Sequence, residues 1–176
     1  MGTTDVNASI ARVFELFAAT GDGLYVGEQI SQLEHALQCG KCAADSGADD
    51  AVIIGALLHD VGHMLGLAAM LPNAAVAPSS EDVARMGEFG VVDHERLGAD
   101  WLRNLGFPER VVDIVRNHVA AKRYLCWRSP AYMNKLSVAS TATLGYQGGP
   151  MNDAEVRRRA GLDVGIRALA THDSTL

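Results

Sequence analysis

Apolar residues recur along most of this chain at the three- and four-residue spacing of a helix face. Ile10, Val13, Phe14, Leu16 and Phe17 share one such face, and Gly21-Asp22-Gly23 ends it. After the connector Tyr25-Val26-Gly27-Glu28-Gln29, the stretch from Ser31 to Ser46 is apolar at Leu33, Ala36, Leu37, Gly40 and Ala43, with Gly47 placed as a C-terminal cap. Asp49 or Asp50 then caps a segment through Val52, Ile53, Ala56 and Leu57 to the pair His59-Asp60. It is apolar nearly all round, which predicts a central helix. From Leu65 to Gly90 the pattern dissolves into Gly, Ala, Pro and Ser, the kind of long excursion that compact domains use as a lid or mobile segment.

Periodicity returns from Val92 to Leu105 and stops at Gly106. Pro108 suits the first turn of the next helix, which carries Val111, Val112, Ile114, Val115 and His118 and continues through Lys122. Pro130 to Leu144 predicts another helix, followed by the turn Gln147-Gly148-Gly149-Pro150. Asn152 with Glu155 forms a capping-box pattern that opens a last, arginine-rich helix in the C-terminal region 151–176. No repeat and no period-two strand stands out. The expected fold class is all-α, one helical bundle spanning residues 1–176 with a site in its core.

Composition narrows the function classes. The formal net charge of -6 argues against nucleic-acid binding. No apolar run is expected to reach the roughly 20 residues of a membrane span, and the acidic N-terminus lacks a signal-peptide pattern, so the expected location is cytoplasmic. Cys39, Cys42 and Cys126 lack the second pair of a zinc or redox motif and read as buried thiols. Arg157, Arg158 and Arg159 read as a solvent face.

Five of the six histidines, His35, His59, His63, His94 and His118, form a spaced series near helix ends or on core-directed faces. One such histidine is usually a packed core residue; a series, with Asp60 beside His59, points to a metal centre in the bundle interior. Nitrogen donors with one carboxylate suit Fe, Mn, Zn or Co. Neighbours on a helix point about 100° apart, so His59 and Asp60 cannot simply chelate one ion from one direction. A carboxylate bridging two ions removes that difficulty. His63, one turn beyond His59, is a further ligand or a substrate-binding group, and Lys122, one turn beyond His118, is suited to holding an anion.

The pattern His35, His59-Asp60 and a late Asp resembles the HD-domain superfamily of all-α metal phosphohydrolases. Tyr25-Val26-Gly27-Glu28, Gln32-Leu33-Glu34-His35, Ala56-Leu57-Leu58-His59-Asp60-Val61-Gly62-His63, His118-Val119-Ala120-Ala121-Lys122-Arg123-Tyr124-Leu125 and Tyr146-Gln147-Gly148-Gly149-Pro150-Met151 are similar to the phosphonate-cleaving oxygenases of the PhnZ type, relatives of myo-inositol oxygenase. The resemblance implies a mixed-valent centre of two Fe ions, Fe(II)/Fe(III), and O2 as co-substrate in carbon–phosphorus bond cleavage. It implies His35, His59, Asp60, His94 and His118 as iron ligands with Asp60 bridging, and Tyr25 as a displaceable ligand. Glu28 would lie near the substrate's amino end, and His63, Lys122, Ser140, Thr143 and Arg167 would surround the phosphonate. Tyr25, Glu28, His63 and Lys122 are thereby the expected catalytic set. The family's last ligand is an Asp three residues after an arginine; here Ile166-Arg167-Ala168-Leu169 is followed by Ala170, and Asp173 is the expected substitute.

The implied reaction converts a 1-hydroxy-2-aminoethylphosphonate-type substrate to glycine and phosphate, or an N-methylated analogue to a product such as glycine betaine. A quaternary ammonium favours aromatic walls drawn from Tyr25, Tyr124, Trp127 or Tyr132. The alternatives are a metal phosphohydrolase acting on a nucleotide or phosphoester, and a non-catalytic phosphonate-binding protein. The partner in every case is a small molecule; sequence sets no oligomeric state.

Overall fold

Side-chain caps decide where the helices of this chain begin. The computed structural model describes residues 5–25, 27–71, 83–86 and 90–159. Asp5 accepts a hydrogen bond from the Asn7 N–H and starts α1 (Val6–Thr20). Ser31 and Glu34 form a reciprocal capping box at α2 (Gln32–Asp45), and Asp49 caps α3 (Asp50–Leu58) by accepting from the Ala51 and Val52 N–H groups. Then come α4 (Val61–Ala68), α5 (His94–Asn104) and the longest helix, α6 (Glu109–Arg128). The short α7 (Pro130–Met133) and α8 (Val138–Tyr146) precede α9 (Asp153–Arg159), whose Asn152–Glu155 capping box forms as its sequence predicts. No strand occurs among the described residues, and two isolated bridges, Leu24 with Ser31 and Arg85 with Val91, pin loops. The expected all-α class holds.

Packing explains where the sequence pattern misleads. The excursion expected from Leu65 begins only after Ala68, because α4 continues through Gly62 and Gly66. Those glycines are contacts rather than breaks. A Cβ on Gly62 would lie 1.9 Å from the His94 carbonyl oxygen, and one on Gly66 would lie 2.2 Å from Val91 Cγ2. Close backbone approach at Gly62 lets α4 lie on the start of α5, and Gly66 makes room for the Val91 side chain before it, as composition alone does not reveal. The single helix expected over Pro130–Leu144 is two: Ser137 caps α8 by accepting from the Ser140 N–H, and Val138, 90% exposed, shows that this join does not face the core. Phe14 and Leu37, expected on core faces, are mostly exposed; Leu16, Ala36 and Ala43 carry the burial instead.

The main core gathers Leu16, Leu58, Val61, Met64, Leu65, Leu102, Val112 and Val115 from α1, α3, α4, α5 and α6. A second cluster joins Ala43, Val52 and Ile114 where α2 and α3 meet α6. A third, Ala120, Ala121, Tyr124 and Met151, lies further along α6, which therefore runs through all three. By length and composition alone Asp50–Ala68 is apolar enough to cross a membrane, against the sequence expectation. It is interrupted at His59-Asp60 and half of it is buried inside the bundle, the behaviour of a central core segment.

Candidate metal centre

Asp60 lies in the break between α3 and α4, and its carboxylate faces histidines from both sides. His59 ends α3, His35 comes from the first turn of α2, His94 opens α5, and His118 sits mid-way along α6. The two carboxylate oxygens divide these four rings. Oδ2 is 3.2 Å from His59 Nε2 and 3.6 Å from His35 Nε2, while Oδ1 is 3.4 Å from His94 Nε2 and 3.5 Å from His118 Nε2. Within each pair the nitrogens approach closely, at 3.3 Å for His35 and His59 and 2.9 Å for His94 and His118.

The chemistry of these donors fits metal ions. His59 Nδ1 lies 2.8 Å from the Ala56 carbonyl and His118 Nδ1 lies 2.7 Å from the Val115 carbonyl. A carbonyl only accepts, so Nδ1 carries the proton in both rings and Nε2 presents its lone pair to the centre. Burial and the neighbouring His59 lower the His35 pKa to about 4, and burial beside His94 holds His118 well below the usual histidine range. Burial alone would raise Asp60, but His59 and His94 hold its carboxyl well below the carboxylate range. His35 and His118 are thus neutral rings near pH 7, and Asp60 is a carboxylate. Lone pairs packed this closely repel unless a cation sits among them, and two groups here, His35 with Cys39 and His59, and Asp60 with His94 and His118, could each hold a metal ion.

Around this centre lies a cavity of about 240 Å³, lined among others by Tyr25, His63, Lys122, Tyr132, Ser140 and Thr143. Tyr25 stacks on His35 with ring centroids 3.8 Å apart and donates to Asp60 Oδ2 at 3.0 Å. Burial and then the Asp60 charge push its phenol well above the usual range, so Tyr25 is a hydrogen-bond donor here. His63 stacks on His94 at 3.8 Å, and its Nδ1 accepts from the Val91 N–H at 3.1 Å. Its proton therefore resides on Nε2, which makes it a neutral donor rather than a ligand in this geometry. Burial beside His94 lowers its pKa to about 3. Gly90, at φ +99°, makes this contact possible, because a Cβ there would lie 2.6 Å from the His63 ring.

Lys122 Nζ donates to Thr143 Oγ1 at 3.0 Å, and Thr143 Oγ1 in turn donates to the Ser140 carbonyl. These residues bring a cation and hydroxyls to one wall of the cavity. Glu28 is close enough to Tyr25 and His35 to influence both electrostatically but does not line the cavity. Of the aromatic candidates, Tyr25 and Tyr132 line it; Tyr124 packs into the Ala120–Met151 cluster, and Trp127 Nε1 donates to Asp153. Arg167, Ala170 and Asp173 lie outside the described residues.

Three polar or thiol lining residues, Cys39, Cys42 and Gln147, escaped the sequence reading. Cys39 and Cys42, expected as buried thiols, are partly exposed and line the cavity, with Cys39 Sγ 3.7 Å from His35 Nε2. The signal was the i, i+4 spacing from His35, which puts Cys39 on the same helix face. Gln147 also lines the cavity, its side-chain oxygen buried with no hydrogen-bond partner among the described residues. It is available to a ligand donor.

The depressed histidines set a pH dependence for chelator-treated protein. The unfolded chain takes up protons below the ordinary histidine value of 6.5, whereas folded His35 and His63 do so only near 4 and 3. Wherever the unfolded state binds more protons, stability rises with pH. Thermal unfolding with excess chelator should therefore show a melting temperature that falls as pH drops from 6.5 toward about 4. A flat profile through that window would contradict the burial of these rings.

The HD-domain family model matches residues 32–155. A 1-hydroxy-2-(trimethylamino)ethylphosphonate dioxygenase (glycine-betaine-forming) from Leisingera caerulea is 40% identical over 146 residues, covering 80% of this chain and 65% of that protein. A hydroxymethylphosphonate dioxygenase from Gimesia maris is 37% identical over 149 residues, covering 84% and 66%. The uncharacterized protein L432 of Acanthamoeba polyphaga mimivirus is 33% identical over 148 residues, covering 84% and 62%. This chain spans just under two thirds of the length of these curated relatives. His35, His59-Asp60, His94 and His118 all fall within the matched segment, and the chain belongs to the HD-domain family.

Proposed function

We propose that this protein is an iron- and dioxygen-dependent oxygenase that cleaves the carbon–phosphorus bond of a small 1-hydroxyphosphonate. The observation that carries the reading is Asp60, with one carboxylate oxygen toward His35 and His59 and the other toward His94 and His118. Support for the substrate class comes from the wall of Lys122, Thr143, Ser140 and His63, and from two relatives whose names specify phosphonate dioxygenases. The cavity, at about 240 Å³, lies below the roughly 300–1,000 Å³ of sites for drug-sized ligands, which favours a short phosphonate over a nucleotide.

In this reading His35, His59, Asp60, His94 and His118 hold two iron ions, and the iron supplies the binding and reduction of dioxygen. The balance needs no other oxidant: a 1-hydroxyphosphonate and one O2 yield a carboxylic acid and phosphate, both oxygen atoms ending in the products. Lys122 and Thr143 hold the phosphonate oxygens, and the His63 Nε2–H donates to them without adding charge. Tyr25 gives up its bond to Asp60 as substrate enters, so its ring moves on His35 while the phenol keeps its proton. Burial of these groups excludes water from the reacting carbon. The amino or trimethylammonio end lies toward the Tyr25 and Tyr132 walls, with Glu28 beyond them.

Iron-loaded, partly reduced protein should release phosphate from 1-hydroxy-2-aminoethylphosphonate or its trimethylammonio analogue only when oxygen is present. Release under strict anaerobiosis would replace this reading with hydrolysis, and binding without release would leave a phosphonate-binding protein. Lys122→Met removes a hydrogen bond to a charged group, worth about 1.5–3 kcal/mol, so kcat/KM should fall roughly 10- to 150-fold. Most of that loss belongs in KM, and an unchanged KM would place the phosphonate elsewhere.

A further inference from the structure

Among the described residues, the half of the centre built from α2 and α3 contains one donor more than its counterpart. His35 Nε2, His59 Nε2 and Cys39 Sγ all lie within 4.8 Å of one another. Metal–nitrogen bonds of about 2.1 Å and metal–sulfur bonds of about 2.3 Å, at a tetrahedral angle, separate two nitrogens by roughly 3.4 Å and a nitrogen from a sulfur by roughly 3.6 Å. The observed separations are 3.3 Å for His35 to His59 and 3.7 Å for His35 to Cys39. Cys39 is one helical turn after His35 on α2, so helix geometry alone keeps the two donors in register.

We propose that Cys39 is a thiolate ligand of the ion held by His35 and His59, which makes the two metal positions chemically unequal. This inference rests on the metal-centre reading above. One position would then be a nitrogen–oxygen–sulfur site and the other, formed by Asp60, His94 and His118, a nitrogen–oxygen site. Ligation replaces the S–H bond with a metal–sulfur bond and releases the proton to solvent. A thiolate favours softer ions, so the α2–α3 position prefers zinc, cobalt or cadmium over manganese more strongly than its neighbour does. Cys42, also at the cavity wall, is absent from the three-donor group, and Cys126 is buried in α6 outside the cavity lining.

Titration of the full chain with Co(II) tests this without reference to turnover. The wild-type protein should take up two cobalt ions and develop a near-ultraviolet sulfur-to-cobalt charge-transfer band with the first. Cys39→Ser should lose the band and bind one ion at least roughly tenfold more weakly, the other being unchanged, while Cys42→Ser and Cys126→Ser keep both features. Two-ion uptake by wild type without the band, or a band that survives Cys39→Ser, overturns the thiolate assignment and leaves the dinuclear centre standing. Failure of wild type to bind any cobalt overturns the centre itself.

Discussion

Asp60→Asn will strip the protein of stable metal and reduce the proposed oxygen-dependent phosphate release by roughly a thousandfold or more. The carboxylate is the group shared by both histidine pairs, with each oxygen 3.2–3.6 Å from the nitrogens it faces. An asparagine keeps the shape but offers one oxygen and one NH2, and the NH2 side turns hydrogens toward lone pairs. It also removes the buried negative charge that balances the bound cations. Loss of a bound ion removes several kcal/mol of charge stabilisation, which is three orders of magnitude in rate. Elemental analysis after gel filtration should find less than one ion per chain, with the apo variant still folded by circular dichroism. A variant that retains both ions would show that Asp60 is not the bridge.

Gly62→Ala is the substitution with the largest expected cost to the fold. The added Cβ would lie 1.9 Å from the His94 carbonyl oxygen and 2.9 Å from its Cα, so backbone rather than a flexible side chain must give way. Overpacking typically costs about 1–3 kcal/mol and more where backbone resists, so the loss in urea unfolding should reach about 3 kcal/mol. Because α5 begins at His94, the shift that relieves the clash also moves this candidate ligand, and metal affinity should fall with stability. Gly145→Ala is the control, since a Cβ there meets nothing within 4 Å and the position lies in α8. It should be neutral or stabilise by up to about 1 kcal/mol. A Gly62→Ala variant as stable as its parent would mean that α4 and α5 do not approach as described.

The convergence of His35, His59, Asp60, His94 and His118 was legible because each side chain carries its own signal. Four histidines and an aspartate at helix ends or on core faces announce convergence, and helix periodicity places them on α2, α3, α5 and α6 without knowledge of the packing. Less visible was anything that depends on what a residue touches. Gly66 read as part of a dissolving pattern, yet it lies in α4 where that helix meets Val91, as Gly62 meets His94. Cys39 read as one more apolar position, because its significance lies in a distance to His35 rather than in a motif. His63 could be read as ligand or donor until the Val91 N–H fixed its tautomer. Phe14 and Ile10 matched a helix face whose partner surface the chain does not provide among the described residues.

The division of donors across the helix break carries a further consequence. One histidine pair belongs to α2 and α3, the other to α5 and α6, and Asp60 is the bridge between them. In the proposed two-ion centre, the distance between the ions would follow how closely α3 lies on α6. That spacing is set where Gly55 meets Ile114, a point at which a Cβ would approach Cγ2 to 2.5 Å. Magnetic exchange between two irons depends steeply on the bridge angle and on their separation. A methyl group added at Gly55, touching no ligand, would act on the centre as a spacer acts on a pair of coupled spins. The electronic structure of the proposed cluster would thus be written partly in the helix contacts that surround it.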